Sequence, residues 1–167
     1  MRPWIIIVVA TVSSWACRHP KSVLSKAEGH AQAEVCDESS RLKFYIAREK
    51  ATGGPSVDTG KEKWYLETSA FFCEKHVSRL EIDQENGPPD AKMFVTPLGR
   101  QIFRTVTSAN IGGHIALVLD KVVLAVPRVE GVIDSDVGHV TLNQRDIPAW
   151  RQLATDLSRR PRSDSTR

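Results

Sequence analysis

The sequence predicts an α+β fold, a two-layer sandwich of largely antiparallel sheet with helices packed on one face. Three observations lead there. Residues 113–127, GHIALVLDKVVLAVP, place two β-rich halves around Asp120-Lys121, which reads as a two-residue hairpin. Directly before it, Leu98, Ile102, Phe103, Val106 and Ala109 recur at helical spacing. The remaining apolar runs are short and are divided by Gly-, Pro- and Asp-rich turns, the pattern of neighbouring hairpins with a few helices laid on them.

In order along the chain, LKFYIAR at 42–48 alternates Leu42, Phe44 and Ile46 against Lys43, Tyr45 and Ala47, a half-buried strand. ATGGPSVDTGKEK is a loop, and KWYLE at 63–67 is a second strand. SAFFCEKH at 69–76 predicts a short helix capped by Thr68 or Ser69, with Phe71 and Phe72 inward. Val77–Gln84 and Lys92–Thr96 are strands joined through ENGPPD. Thr96 is the N-cap and Pro97 the first residue of the main helix, which Asn110 and Gly112-Gly113 end. In the hairpin, Leu119 is set opposite Val122, Leu117 opposite Leu124 and Ile115 opposite Val126, forming a large apolar face. The reverse pairs Val118 with Val123 and Ala116 with Ala125. Lys121 stands where such a turn prefers Gly, and a positive φ there costs on the order of 1 kcal/mol. A loop at 131–136, a strand at 139–142 and a terminal helix follow. That helix starts at Asp146-Ile147-Pro148 and aligns Ile147, Trp150, Leu153, Ala154 and Leu157.

The 167 residues divide into 1–16, 17–40, 41–157 and 158–167. Residues 1–16, MRPWIIIVVATVSSWA, read as an export signal: Arg2 is followed by an apolar run at 4–12 far short of the ~20 residues a spanning helix needs. Ser14-Trp15-Ala16 suits a general signal peptidase. Ala16-Cys17 also resembles a lipobox, which would acylate Cys17, although Ser14 and Trp15 depart from it. With Arg rather than Asp after Cys17, that resemblance implies the outer membrane; a soluble secreted or periplasmic form is the alternative. Residues 17–40 read as a polar, flexible tether and 158–167 as a disordered basic tail. The net charge of +3 sits in these ends, +1 on Arg2 and +3 in the tail, so 17–157 carries about −1 and offers no basic face to nucleic acid. With Cys17 set aside, Cys36 and Cys73 are an even pair in an oxidising compartment: either a disulfide or two separate buried thiols.

From Gly99 onward the spacing becomes recognisable. Gly99, Phe103, Thr107, Asn110 and Gly112, then IALVLD at 115–120, Val123, Pro127, Ile133 and Val140, resemble the head subdomain of the first periplasmic domain of SecD/SecDF. That family is a membrane-bound accessory of bacterial protein translocation. The likeness extends less sharply back to WYLE at 64–67 and forward to Leu153-Ala154. Lys121, Val126, Ser135-Asp136 and Leu142 depart from its pattern, most of them standing where the family has Gly, so the 131–138 loop is expected to take its own shape. The resemblance implies a head alone, exported by itself, without the family's membrane-embedded proton-moving groups.

The chemistry-bearing residues point away from catalysis. His76, His114 and His139 lack the spacing of a metal site, no GxSxG or HExxH is present, and Gly112-Gly113 follows a helix where a phosphate cradle precedes one. No metal, cofactor or small-molecule substrate is expected. Cys73 with His76 is the one pairing that would suit a thiol enzyme. The small apolar face of Ala116, Val118, Val123 and Ala125 is either a second core layer or a docking surface. The resulting expectation is a non-catalytic envelope protein, lipid-anchored at Cys17, that binds polypeptide or an envelope protein. An assembly factor docking one fixed partner is the alternative.

Overall fold

The computed structural model describes residues 36–60, 62–84 and 87–160; the expected signal 1–16, Cys17, most of the tether and tail residues 161–167 lie outside the described residues. Nine strands and two helices follow in the order β1 (Leu42–Arg48), β2 (Ser56–Asp58), β3 (Lys63–Leu66), β4 (Phe72–Cys73), β5 (Val77–Asp83), β6 (Asp90–Val95), α1 (Pro97–Ala109), β7 (His114–Leu119), β8 (Val122–Ala125), β9 (Val137–Thr141) and α2 (Ile147–Ser158) among the described residues. The fold is α+β with antiparallel pairing throughout. The strands form two sheets, β2-β3-β1-β7-β8 with β4 also on β1, and β5-β6-β9.

The main core lies between these sheets and the two helices. Leu42 and Phe44 of β1 and Ile115, Leu117 and Leu119 of β7 face Leu80, Ala91 and Met93 of the second sheet. Phe103 of α1 and Ile147, Trp150, Leu153 and Leu157 of α2 complete it, on the helical faces that the apolar spacing predicts. Helix α1 starts as expected: the Thr96 hydroxyl accepts from Gly99 N–H at 3.0 Å, and Pro97 opens the first turn. Gly99 itself is needed for close packing, because a Cβ there would lie 2.6 Å from the His76 carbonyl oxygen and 3.0 Å from the Phe72 ring.

The expected helix over 69–76 is not formed. Phe72 and Cys73 are extended and pair with Phe44 and Lys43 of β1, and only Glu74–His76 turns, as a single 3-10 turn. Strand pairing outcompetes a local helical preference that was weak at this length. Phe72 is nonetheless fully buried. The loop expected over ATGGPSVDTGKEK, 51–63, contains β2, three residues that pair with β3.

The hairpin turn is type I′ in sense, with Asp120 at φ 49° and Lys121 at φ 68°. Arg41 compensates by clamping it, donating from Nε and Nη2 to both Asp120 carboxylate oxygens at 2.7 Å and from Nη1 to Asp156 of α2 at 2.8 Å. The Arg41 hydrogen bonds hold the Asp120 carboxyl below the usual carboxylate range. The clamp therefore stabilises above that range and is lost as pH falls through the lowered pKa; being partly exposed, it contributes about 1 kcal/mol at most. Beyond the turn the register differs from strict alternation. Leu119 pairs with Val122 and Val118 with Val123, but a bulge then sets Ala125 opposite Leu117 instead of Ala116.

Candidate binding cleft

The bulge matters because it splits the expected docking face. Ala116 and Val118 are buried in a second, smaller apolar cluster with Ala47, Trp64 and Leu66, edged by Tyr45, Val57 and Val123. Trp64 reaches this layer because β3 pairs with β1, and its indole sits over His114 with ring centroids 4.3 Å apart. Val123 is half-buried at the margin, and Ala125 faces the opposite side. The four residues Ala116, Val118, Val123 and Ala125 thus form no common exposed surface. For Ala116 and Val118 the alternative of a second core layer holds, packed with Ala47 of β1 and Trp64 and Leu66 of β3.

Ala125 belongs instead to a cleft of about 790 Å³ between the two sheets. Phe44, Ile115 and Leu117 supply one wall and Met93, Val95 and the β9 strand the other, with Phe103 of α1 beneath. Residues 127–133 and Ser135 form the outer wall. The cleft is mainly apolar, of the size class of ligand sites. Strands β8 and β9, which border it, each end their sheet and so keep one flank outside the described ladders. Val132 and Ile133 on the outer wall are 49% and 43% exposed, unusually open for large aliphatic side chains.

Several contacts fix the outer wall. The Gly112 N–H donates to the Val129 carbonyl at 2.7 Å, and the Val129 N–H donates back to the Gly113 carbonyl at 2.8 Å, with Gly112 at φ +82° making the approach possible. The fully buried Thr107 hydroxyl donates to the Phe103 carbonyl at 2.7 Å and accepts from Ile133 N–H at 2.9 Å. Arg100 Nε meets Asp134 at 2.7 Å, and this contact holds the Asp134 carboxyl below its ordinary range. Gly99, Phe103, Thr107 and Gly112, part of the spacing singled out in the sequence, therefore seat α1 and hang the cleft wall from it. Val132, Ile133 and Met93 were not singled out for binding; the signal on offer was an adjacent pair of β-branched residues inside an otherwise polar loop.

Of His76, His114 and His139, the last lines the cleft and the other two lie outside it. His139 is on β9 with Nδ1 2.8 Å from Asp90, and His114 packs against Trp64 with the rings tilted by 46°. His76 is buried in the 3-10 turn, its Nδ1 accepting from Cys73 N–H at 3.2 Å. Cys36 and Cys73 are joined in a disulfide with Cα atoms 5.8 Å apart, and Cys73 is fully buried. The carboxylate of Glu74, a residue the sequence did not mark, is buried beside it and accepts from the main-chain N–H groups of Arg41 and Leu42, each at 3.1 Å.

Residues 49–158 match the model of the family described as SecDF, P1 head subdomain. The chain belongs to the SecDF P1 head family. Over 64 residues it is 39% identical to the protein translocase subunit SecD of Rhodothermus marinus, which is 38% of this chain and 10% of that relative. Two solved SecDF structures share the head fold. One, a membrane component SecDF that enhances protein export, aligns with TM-score 0.54 and 21% identity over 71% of this chain and 62% of its own. The other, SecDF in a super-membrane-facing form, gives TM-score 0.55 and 22% identity over 71% of this chain and 19% of its own. The chain thus spans a tenth of the SecD relative and less than two thirds of either SecDF chain. Among the described residues no helix is long and apolar enough to cross a membrane.

Proposed function

We propose that this SecDF P1 head domain binds polypeptide in extended form in the cleft between its two sheets, as a non-catalytic participant in protein export. The carrying observation is the cleft itself: an apolar trough, open to solvent, bordered by two sheet-ending strands that can offer main-chain hydrogen bonds to an extended segment. Apolar walls with main-chain edges suit many sequences, which is what an export client requires. The relatives' part in protein export supports the same reading. Burial of Cys73 and its bond to Cys36 speak against a thiol enzyme, since a nucleophile must be reachable.

The test uses the full chain and a reduced, carboxymethylated and hence permanently unfolded protein. A photo-crosslinking residue at Val132 yields adducts with it, whereas the same residue at Val57, on the far side of the first sheet, does not. Replacing exposed Ile133 by Asp weakens binding about tenfold or more, the loss of one buried aliphatic side chain, and leaves the fold intact. Equal labelling from both positions, or capture of one folded partner alone, would point to an assembly factor instead.

The export apparatus of the chain is part of the same proposal: 1–16 as signal, Cys17 as acylated anchor on the periplasmic side of the outer membrane, 17–40 as tether and 158–167 as tail. The intact mass of mature protein from cells is expected to begin at a diacylated or triacylated Cys17. An unmodified N-terminus would replace the anchor by a soluble exported form.

A further inference from the structure

Cys36, Cys73 and His76 draw together at a point that peptide binding in the cleft does not use. One ligand atom from each lies within 4.8 Å of the other two. Two sulfurs and one imidazole are a donor set for soft or borderline cations. In a tetrahedral zinc site with bonds of ~2.3 Å to sulfur and ~2.1 Å to nitrogen, ligand atoms sit roughly 3.6–3.8 Å apart. In the disulfide the two sulfurs are closer than that, so they must part once the bridge opens, while the imidazole already lies within 4.8 Å of both.

The surroundings favour the same arrangement. Cys73 is fully buried, His76 is 2% exposed, and Cys36 is half-buried, so a reagent reaches the site from the Cys36 side. His76 Nδ1 is oriented by the Cys73 N–H, the geometry in which the ring proton resides on Nε2. A cation at Nδ1 would take the place of the Cys73 N–H donor and need no change of tautomer. Glu74, the nearest carboxylate in sequence, is occupied by the Arg41 and Leu42 amides, which leaves Cys36, Cys73 and His76 as the three ligands among the described residues.

We propose that Cys36, Cys73 and His76 are a two-state site: a disulfide when oxidised, and a site of two thiolates and one imidazole for a thiophilic divalent cation such as Zn²⁺ once a dithiol reductant has opened it. One thiolate of the reductant attacks a sulfur of the bridge, and the S–S bond breaks. The second reductant thiol then closes the reductant's own disulfide, which leaves two electrons and two protons on Cys36 and Cys73. Binding of the dication expels those two protons and forms two metal–thiolate bonds and one metal–imidazole bond.

The test uses the full chain carrying Cys17→Ser, so that the third thiol is removed, reduced with a phosphine and checked for native circular dichroism. Titrated with Co²⁺, it is expected to develop thiolate charge-transfer and tetrahedral d–d bands that saturate at one equivalent. Zn²⁺ displaces Co²⁺ with a Kd on the order of 1 µM or tighter by chelator competition, and the oxidised protein takes up neither ion. His76→Gln and His76→Ala weaken Zn²⁺ binding by about 100-fold. Should those variants not fold, Cys36→Ser must both lower affinity and reduce the charge-transfer band. Absence of uptake by the reduced, folded protein overturns the proposal. So does unchanged affinity in folded variants, or uptake confined to unfolded chains.

Discussion

Opening the Cys36–Cys73 bridge is expected to lower the stability of the domain by about 3–4 kcal/mol, the loop-closure entropy of a closed segment of this length. The bridge spans a sequence separation of 37 and enters the core at the fully buried Cys73, which β4 holds against Lys43 of β1. Reduction lengthens the free chain of the unfolded state while β1–β4 pairing continues to hold the native state. The loss should therefore enter mainly through the unfolded ensemble, with a rise in urea m-value as that ensemble expands. Urea titrations of Cys17→Ser protein with and without reductant measure it. A midpoint that does not move would mean that the pairing of Phe72 and Cys73 with β1 already constrains the segment in the unfolded chain.

Trp150→Ala is expected to cost about 3–5 kcal/mol. Trp150 is fully buried on the inner face of α2, between Ile147 and Leu153, where the helix packs on β5. Its removal opens a large void beneath a helix that holds only one face against the core. Trp150→Phe separates volume from polarity. The indole Nε1 is buried and finds no acceptor among the described residues, so Phe removes an uncompensated donor together with part of the ring. Its cost should stay below about 1.5 kcal/mol. Thermal or urea unfolding compares the two, and equal losses would show that the filled volume does not govern the cost.

The parts of this fold that were legible in the sequence are those where two independent signals coincide. Helix α1 carries both a Thr-Pro start and an apolar stripe, and α2 combines Asp-Ile-Pro with Trp150, Leu153 and Leu157 at helical spacing. The hairpin turn at Asp120-Lys121 was visible, but the register beyond Val123 was not. Both faces of VVLAVP are apolar, so a one-residue bulge leaves the hydrophobic pattern almost unchanged. SAFFCEKH misled because capping residues and paired aromatics are local features, whereas the pairing of Phe72 with Phe44 and the bond to Cys36 are not. The choice between core layer and docking surface for the small apolar face was open in the sequence for the same reason. KWYLE was readable as a strand, but its place beside β1, which brings Trp64 over Ala47 and near Ala116, depends on a partner chosen in three dimensions. The cleft was hidden more thoroughly, since its walls come from two sheets that no single stretch of sequence contains.

The packed phenylalanines have a consequence for how occupancy of the cleft can be followed. Phe44 in its wall and Phe103 beneath meet edge-on at 5.2 Å, Phe103 lies 4.4 Å from Phe72, and Phe72 lies 5.0 Å from the imidazole of His76. One unbroken succession of rings therefore joins the trough to the sulfur bridge. Phe72 also meets Phe44 directly, so the His76 ring protons are a magnetic reporter only two rings removed from anything that settles on Phe44.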